Sequence, residues 1–286
     1  TRSGSGYTGT PQVIVASDHN TSLSISRDGR TLAWSQDAVE RPAEIFVATV
    51  SPAAPRRGSV VTSGPRQLTH ENDALLAELS LNPAEEFWFR GAGGDSVQGL
   101  LIKPPNWQPG KKYPVLFVIH GGPQGAWFDQ WHGRWNFSMF ASPGFAVVAV
   151  NPRGSTGYGQ RFVDEISRDW GGKVFTDLFN GLDAVLAANP WMDSTRMGAA
   201  GGSYGGYAVN WIAGHKEADR FKALFTHAGV WNLENMYGAT EERWFPEWEY
   251  GGPYWDPKLM ESQCRRWSPH LFAGNLHVPH LDAAEA

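Results

Sequence analysis

The sequence lacks the features that define several large classes of proteins. It has one cysteine, Cys264, in 286 residues, which excludes an internal disulfide and a zinc site built from several cysteines. The net charge is −5 and no long basic run is present, which argues against a nucleic-acid partner. No apolar run approaches the ~20 residues that a transmembrane helix needs. We therefore expect no disulfide, no nucleic-acid partner and no membrane partner.

The first part of the chain, residues 1–80, has the pattern of antiparallel β-structure. The stretch SLSISRDGRTLAWS predicts a hairpin that turns at Asp28-Gly29, and AEIFVATV predicts a further strand. This order of strands resembles one blade of a β-propeller. A single blade cannot bury both of its faces. We expect it to belong to something larger or to pack against the rest of the chain.

The second part, residues 82–286, alternates between strand and helix patterns. YPVLFVIH and FAVVAV are continuous apolar runs, as in strands that are covered on both faces. FTDLFNGLDAVLAANP carries an apolar stripe at helical spacing that ends at Pro190. RMGAAG and FKALFTHAG predict further strands, and YAVNWIAG predicts a helix. This alternation predicts an α/β fold with a mostly parallel sheet.

A candidate nucleophile lies between one of these strands and the helix that follows it. The motif GGSYG places Ser203 in a G-x-S-x-G pattern, which needs this strand-to-helix context to act as a nucleophile elbow. A serine held on such a strained turn projects its hydroxyl from the sheet, and small neighbours such as Gly201 and Gly205 relieve the crowding. The amide of Tyr204 would then face the oxyanion of a tetrahedral intermediate.

Two loops at the ends of the buried strands contribute further candidates. HGGP follows VLFVI, and Gly122 is the best candidate for a second oxyanion amide, because this fold takes one from an early strand's loop. His120 is a poor candidate for the base, since it precedes the serine, whereas this kind of site has its histidine after the serine in the chain. Arg153, in NPRGSTGYG, is placed either to bind a substrate carbonyl or carboxylate or to hold its loop in position, and we favour the second role.

Several longer stretches together resemble the prolyl oligopeptidase family of serine peptidases, in its branch of acylaminoacyl and dipeptidyl peptidases. These stretches are HGGPQGAW, NPRGSTGYGQRF, WGGKVFTDLFNGLDAVL, GGSYGGYAVNW and EWEYGGPYW, and they occur in the family's order over nearly all of residues 82–281. The resemblance implies an α/β-hydrolase fold preceded by the end of a β-propeller. It also implies hydrolysis of short peptides from the amino end, without a metal or an organic cofactor.

The resemblance also assigns roles to individual residues. Ser203 matches the family's nucleophile, and Tyr204 and Gly122 match its oxyanion donors. The aromatic stretch from Trp244 to Tyr250 lies where the family shapes its substrate pocket, so both residues are candidates for specificity or for packing. The resemblance favours an exported bacterial or fungal enzyme.

The acid and base that the nucleophile requires are harder to find. The family's order is serine, then aspartate after a late strand, then histidine. His277 and His280 read as residues that enter this late strand, and only AAEA follows Asp282. The resemblance therefore implies a chain that is incomplete at both ends, with the catalytic aspartate and histidine both beyond Ala286. Asp256, in YWDPKL, reads as a turn or a helix cap.

Three functions remain open from the sequence. The first is a serine peptidase that acts through an acyl-enzyme on Ser203, which the blade-like region favours. The second is an esterase or lipase on the same fold, because a fold does not determine its substrate. The third is a non-catalytic fragment that assembles with its complementary piece or as a homo-oligomer.

Overall fold

The computed structural model describes residues 13, 15–16, 18–51, 60–61 and 64–283. The chain divides into two compact units. Unit 1 contains the described residues up to Ser80 together with Phe128–Trp135. Unit 2 contains Leu81–Trp127 and the described residues from Asn136 onward.

Unit 1 is built on an antiparallel sheet, which within the described residues has five strands. The first four pair in chain order, and the fifth pairs with the third. A short helix, α1 (Asp73–Leu76), follows the sheet. The strands are β1 (His19–Ile25), β2 (Thr31–Ala38), β3 (Arg41–Ser51), β4 (Val60–Val61) and β5 (Arg66–Gln67).

The predicted hairpin forms the first part of this sheet. β1 pairs antiparallel with β2, and Gly29 in the turn between them has a φ of 71°, which a residue with a side chain rarely adopts. β1 is exposed along most of its length, whereas Trp34 and Ala38 of β2 are buried. Leu23 and Ile25 remain 71% and 59% exposed. Unit 1 thus presents apolar side chains on an outer strand.

Unit 2 is built on a mixed sheet, which within the described residues has seven strands in the order β6-β7-β9-β8-β10-β11-β12. β6 and β7, and β7 and β9, pair antiparallel, and the remaining neighbours pair parallel. The strands are β6 (Ala84–Arg90), β7 (Ser96–Ile102), β8 (Tyr113–Ile119), β9 (Ala146–Val150), β10 (Met192–Gly202), β11 (Ala223–His227) and β12 (His280–Ala283).

Helices and shorter helical turns connect these strands. The two long helices, α4 and α5, pack against the sheet and contribute to its core. The helices are α2 (Phe137–Ala141), α3 (Gln160–Asp164), α4 (Lys173–Ala188), α5 (Tyr204–Ala213), α6 (Leu233–Ala239), α7 (Trp244–Tyr250) and α8 (Pro257–Leu259). A π-helical turn continues α8 over Met260–Arg265.

The core of unit 2 lies around the two central strands that the sequence predicts. All five residues of β9 are buried. In β8, buried and partly exposed residues alternate at the start, and the last three residues are all buried. Such strands are apolar on both sides because helices cover both faces of the sheet. On α4, the apolar stripe faces the sheet through residues such as Leu178, Leu182 and Val185. The predicted α/β fold with a mostly parallel sheet is confirmed.

Candidate active site

Ser203 lies at the junction between β10 and α5, where the sequence predicts a strained turn. Its φ is 56° and its ψ is −118°, which is a conformation that residues with side chains rarely adopt. The four residues around it, from Gly201 to Gly205, are buried, but Ser203 itself is exposed. The turn therefore exposes the Ser203 side chain at the surface of a tightly packed segment.

The glycines around Ser203 leave no room for a side chain. A Cβ atom on Gly201 would lie 2.2 Å from the carbonyl oxygen of Gly205. A Cβ atom on Gly205 would lie 2.1 Å from the carbonyl oxygen of Ile119 in β8. Both obstacles are backbone atoms, which cannot rotate away as a flexible side chain would. The G-x-S-x-G spacing is therefore a steric requirement of this turn.

Hydrogen bonds hold the backbone of Ser203 and the side chain of Tyr204 in place. The Ser203 amide donates to the carbonyl of His227 at 2.9 Å, and the Ser203 carbonyl accepts from the amide of Tyr207 at 2.9 Å. Tyr204 opens α5, where the first amides of a helix lack partners within the helix. The Tyr204 hydroxyl is buried and donates to the carbonyl of Trp170 at 2.7 Å. The Tyr204 side chain is thus fixed while its amide stays at the helix N-terminus.

The loop that follows β8 lies against this turn. A Cβ atom on Gly121 would lie 2.8 Å from the carbonyl oxygen of Gly202 and 3.2 Å from the Cβ of Ser203. Gly122, the next residue, is exposed and has a φ of 129°, which favours glycine. Gly121 therefore lets the backbone of this loop approach Ser203 more closely than a residue with a side chain would allow.

His120 fixes this loop from inside the protein. Its side chain is buried, and burial lowers its pKa to about 4, so the ring is neutral at pH 7. Because a carbonyl only accepts, Nδ1 donates to Gly121 O at 2.8 Å, and Nε2 then accepts from the hydroxyl of Ser155 at 2.9 Å. Gly121 C=O and Gly122 N–H belong to one planar peptide unit. Holding the carbonyl therefore also sets the direction of the Gly122 amide.

Arg153 is held entirely by groups inside unit 2. Its side chain is 2% exposed, and its guanidinium pairs with Asp95 at 3.0 Å and more closely with Glu165. It also donates to the carbonyl of Ala92. The buried Asp177 accepts from the Arg153 amide at 2.9 Å, and burial raises the pKa of this carboxyl. These contacts favour the role of holding the loop over the role of binding substrate.

The two aromatic candidates on α7 have opposite environments. Trp244 is 67% exposed, whereas Tyr250 is buried. The ring of Tyr250 packs edge-on against Trp170 at a centroid distance of 5.7 Å, and its hydroxyl lies 3.3 Å from Sδ of Met236. Trp244 is accessible to a ligand, and Tyr250 serves the packing of the helix.

The late histidines have partners other than Ser203, and Asp282 lies in the last described strand. His280 begins β12, and its Nε2 lies 2.8 Å from the hydroxyl of Thr226. His277 lies 2.7 Å from Asp219, and its pKa is raised, first by the hydrogen bond to the Asn275 carbonyl and then by Asp219. Asp282 lies within β12, opposite Thr226. Among the described residues, none hydrogen-bonds the Ser203 hydroxyl.

Other sequence expectations have direct structural counterparts. Asp256 caps α8, since its Oδ1 accepts from the amide of Lys258 at 2.9 Å, which confirms the predicted cap. Within the part of the chain that the structure describes, no group of three or more His, Cys, Asp or Glu residues is arranged to hold a metal ion. None of the described helices combines the length and hydropathy that a membrane crossing requires.

The structure also reveals a residue that the sequence analysis misses. Glu249, on α7, is 1% exposed and accepts hydrogen bonds from Gln124, Ser167 and Trp170. In the sequence it stands among aromatic residues in EWEYGG and reads as one more exposed charge. The available signal is its spacing of four from Phe245, which places it on the inward face of the helix.

The sheet order, the mostly parallel pairing and the exposed serine on a strand-to-helix turn define an α/β-hydrolase fold. The profile of the Prolyl oligopeptidase family matches residues 131–281, and the chain belongs to this family.

Individual relatives agree with this assignment. The chain is 43% identical to dipeptidyl-peptidase 5 of Schizosaccharomyces pombe over 214 residues, which cover 73% of this chain and 31% of that protein. It is 37% identical to dipeptidyl-peptidase 5 of Porphyromonas gingivalis over 215 residues, covering 75% and 31%. Among solved structures, the acylaminoacyl peptidase of Pyrococcus horikoshii superimposes with a TM-score of 0.81 at 28% identity, covering 97% of this chain and 42% of that one. The chain thus spans about a third of the length of these curated relatives.

Proposed function

We propose that this chain carries the nucleophile of a serine peptidase that hydrolyses short peptides near their amino end. The observation that supports this most is the exposed Ser203 on a strained turn, with the backbone of Gly121 packed against it. The names of the relatives, dipeptidyl-peptidase 5 and acylaminoacyl peptidase, support a peptide substrate cut near its amino end.

The proposed reaction is acyl transfer in two steps. Ser203 Oγ attacks the scissile carbonyl carbon, its proton passes to a general base, and the carbonyl oxygen becomes an oxyanion. The C–N bond then breaks, the leaving amine takes the proton, and an ester remains on Ser203. Water hydrolyses this ester, which releases the acyl part of the peptide and restores the hydroxyl. We assign the general base to neither His277 nor His280, because neither ring hydrogen-bonds Ser203: His277 pairs with Asp219 and His280 with Thr226.

The amides of Tyr204 and Gly122 are the proposed oxyanion donors. Tyr204 stands at the first position of α5, where the helix dipole favours negative charge. The orientation of the Gly122 amide is set by the hydrogen bond from His120 to the carbonyl of the same peptide unit. Loss of one such donor typically lowers kcat by about 10²–10³-fold.

Substrate recognition is proposed to use Trp244 rather than Arg153 or Tyr250. Trp244 offers a large, exposed apolar surface, and Trp248 on the same helix is also exposed. Arg153 and Tyr250 are buried and engaged with other residues of unit 2.

We further propose that the antiparallel sheet of unit 1 is part of a β-propeller. Its first three strands pair in chain order, as the strands of a propeller blade do. The exposed Leu23 and Ile25 on β1 are the kind of apolar surface that a neighbouring blade would cover. A propeller in the same protein would restrict access to short peptides.

The test is covalent labelling with a fluorophosphonate in the longest native chain that contains these residues. We expect one label, on the tryptic peptide that contains Ser203, and none on the Ser203→Ala variant. Turnover of dipeptidyl and acyl-aminoacyl anilides is then compared with turnover of simple alkyl esters. Labelling at another residue, or hydrolysis of the esters alone, would contradict the proposed function.

A further inference from the structure

Glu249 is a buried carboxylate without a cationic partner. Its side chain is 1% exposed, and no Lys or Arg among the described residues forms an ion pair with it. Burying a charge costs free energy unless hydrogen bonds replace its hydration. Three neutral donors supply them here: Gln124 Nε2 and Ser167 Oγ donate to Oε1, and Trp170 Nε1 donates to Oε2. Both oxygens are therefore committed: Oε1 bonds Gln124 and Ser167, and Oε2 bonds Trp170, which lies in the same segment as Ser167.

The first oxygen holds the loop that carries Gly122. Gln124 donates to Oε1 at 2.7 Å, and it stands two residues after Gly122 in this loop. The loop is compact at this point, because a Cβ atom on Gly125 would lie 2.9 Å from the carbonyl oxygen of Gly121. His120 fixes the start of the loop, and Glu249 fixes its continuation.

The second oxygen holds the residue that supports Tyr204. Trp170 Nε1 donates to Oε2 at 2.7 Å, and the carbonyl of Trp170 accepts from the Tyr204 hydroxyl at 2.7 Å. The rings of Trp170 and Tyr204 also pack edge-on at a centroid distance of 5.0 Å. Burial, and next the charge of Glu249, raise the pKa of Tyr204, so its hydroxyl stays protonated and keeps donating.

We infer that Glu249 is a positioning residue that sets the separation between the Tyr204 and Gly122 amides. One carboxylate is tied through Gln124 to the loop that carries one amide, and through Trp170 to the residue that carries the other. A carboxylate suits this task because both of its oxygens accept and its charge strengthens all three hydrogen bonds. This inference rests on the proposed function, since it presupposes an oxyanion between the two amides.

The substitution Glu249→Gln tests this role with little change in shape. Its amide keeps all three partners only if the Gln124 amide turns over and the Ser167 hydroxyl reverses, and every bond then loses the strength that the carboxylate charge gives it. A second variant, Gln124→Met, removes only the tie to the loop and leaves Glu249 bonded to Ser167 and Trp170. It keeps the inference testable if the first variant does not fold.

Glu44 in unit 1 offers a matched control. It is 3% exposed and, like Glu249, accepts hydrogen bonds from neutral donors, namely the Thr69 hydroxyl and the backbone and side-chain nitrogens of Asn72. Glu44→Gln therefore makes the same chemical change at the same burial outside unit 2. It reports what the loss of a buried carboxylate does to folding alone.

Two measurements separate positioning from general structural support. The first is kcat and KM for a dipeptidyl anilide, and the second is the inhibition constant of a dipeptidyl trifluoromethyl ketone, whose adduct with Ser203 carries an oxyanion. We expect Glu249→Gln and Gln124→Met each to lower kcat by about 10- to 100-fold. This fall is no larger than the fall in kcat that removal of one oxyanion donor typically causes. KM should change by less than about threefold, because the oxyanion forms only in the transition state and the bound substrate does not carry it. The ketone should lose affinity by the same factor as kcat.

The outcomes distinguish the inference from the function on which it rests. If turnover depends on Ser203 but Glu249→Gln and Gln124→Met behave like Glu44→Gln, the inference is wrong and the proposed function stands. An equal rise in KM and in the inhibition constant of the ketone, with kcat unchanged, also overturns the inference. If the Ser203→Ala variant retains turnover, the proposed function fails and the inference fails with it. A fall in kcat that the ketone affinity follows supports both.

Discussion

Among the described residues, two serines have a positive φ, one in each unit. Ser203 has a φ of 56° at the end of β10, and Ser22 has a φ of 53° in β1. Ser22 lies where the pairing of β1 with β2 shifts register, between Thr21 and Ser24, so its conformation belongs to a bulge. Both side chains are exposed.

The surroundings of the two serines differ. Ser22 has exposed neighbours, whereas Ser203 has buried ones, and the glycines two positions before and after it leave no room for a side chain. Backbone strain by itself therefore does not mark a nucleophile. What marks it is strain combined with close packing and a second loop beside the serine, and of these two serines Ser203 is the one that combines them.

The largest expected effect contrasts these two serines directly. Ser203→Ala should lower turnover of a dipeptidyl anilide by at least about 10³-fold, as for other serine nucleophiles. Ser22→Ala should leave kcat and KM within about twofold, because surface substitutions away from a site rarely matter. Steady-state kinetics on both variants, with circular dichroism as the folding check, measures this. A comparable loss in both variants would remove the distinction.

The next effect contrasts two glycines. Gly205→Ala places a Cβ atom 2.1 Å from the Ile119 carbonyl, so we expect a loss of about 3 kcal/mol or more in the free energy of unfolding, at the upper end for overpacking. Gly64 in unit 1 has open space around it, and Gly64→Ala should change this free energy by less than about 1 kcal/mol. Urea denaturation measures both. A stable Gly205→Ala protein would contradict the packing described here.

A third effect concerns the pH dependence of stability. The pKa of His120 is lowered from 6.5 to about 4, so the unfolded chain binds the proton more readily. Stability from this group is present above pH 6.5 and is lost as the pH falls towards 4, by up to about 3 kcal/mol. His120→Gln should flatten the pH dependence of urea denaturation over this range.

The corresponding residue for comparison is His132, which belongs to unit 1. Burial lowers its pKa as well, but its side chain is partly exposed and accepts from the amides of Arg134 and Trp135. His132→Gln should flatten the pH profile less than His120→Gln does. The reverse order would mean that burial of His120 is not what governs acid stability.

The smallest effect compares strands from the two units. Ile102 in β7 is 1% exposed, and Ile102→Val should cost about 1 kcal/mol in the free energy of unfolding. Ile25 in β1 is exposed, so the described residues predict that Ile25→Val costs less than about 0.5 kcal/mol. A cost near that of Ile102→Val would show that another part of the protein covers β1, as the propeller proposal requires.

The sequence predicts the sheet of unit 2 well because its signals are local. Continuous apolar runs identify β8 and β9, and the helical stripe before Pro190 identifies α4, which ends at Ala188. The elbow at Ser203 is predictable for the same reason: a glycine pattern between a strand and a helix has one structural explanation.

Other features depend on contacts between distant residues and leave no local pattern. Phe128–Trp135 belongs to unit 1 although the residues on both sides of it belong to unit 2. The stretch from Trp244 to Tyr250 forms a helix, but its sequence shows only a cluster of aromatic residues. Glu249 finds its partners 79 and 125 positions away, in Trp170 and Gln124. No spacing rule within a short window could reveal these ties.

The register between β8 and β10 has a consequence for how the site is assembled. Gly201 pairs with Ile119, so the two strands end side by side and their loops begin almost level. A slip of one residue would move one loop by about 3.3 Å relative to the other and separate the serine from the glycines. The pairing of β8 with β10 therefore sets the distance between the serine and the glycine loop, so the alignment of the site depends on this register.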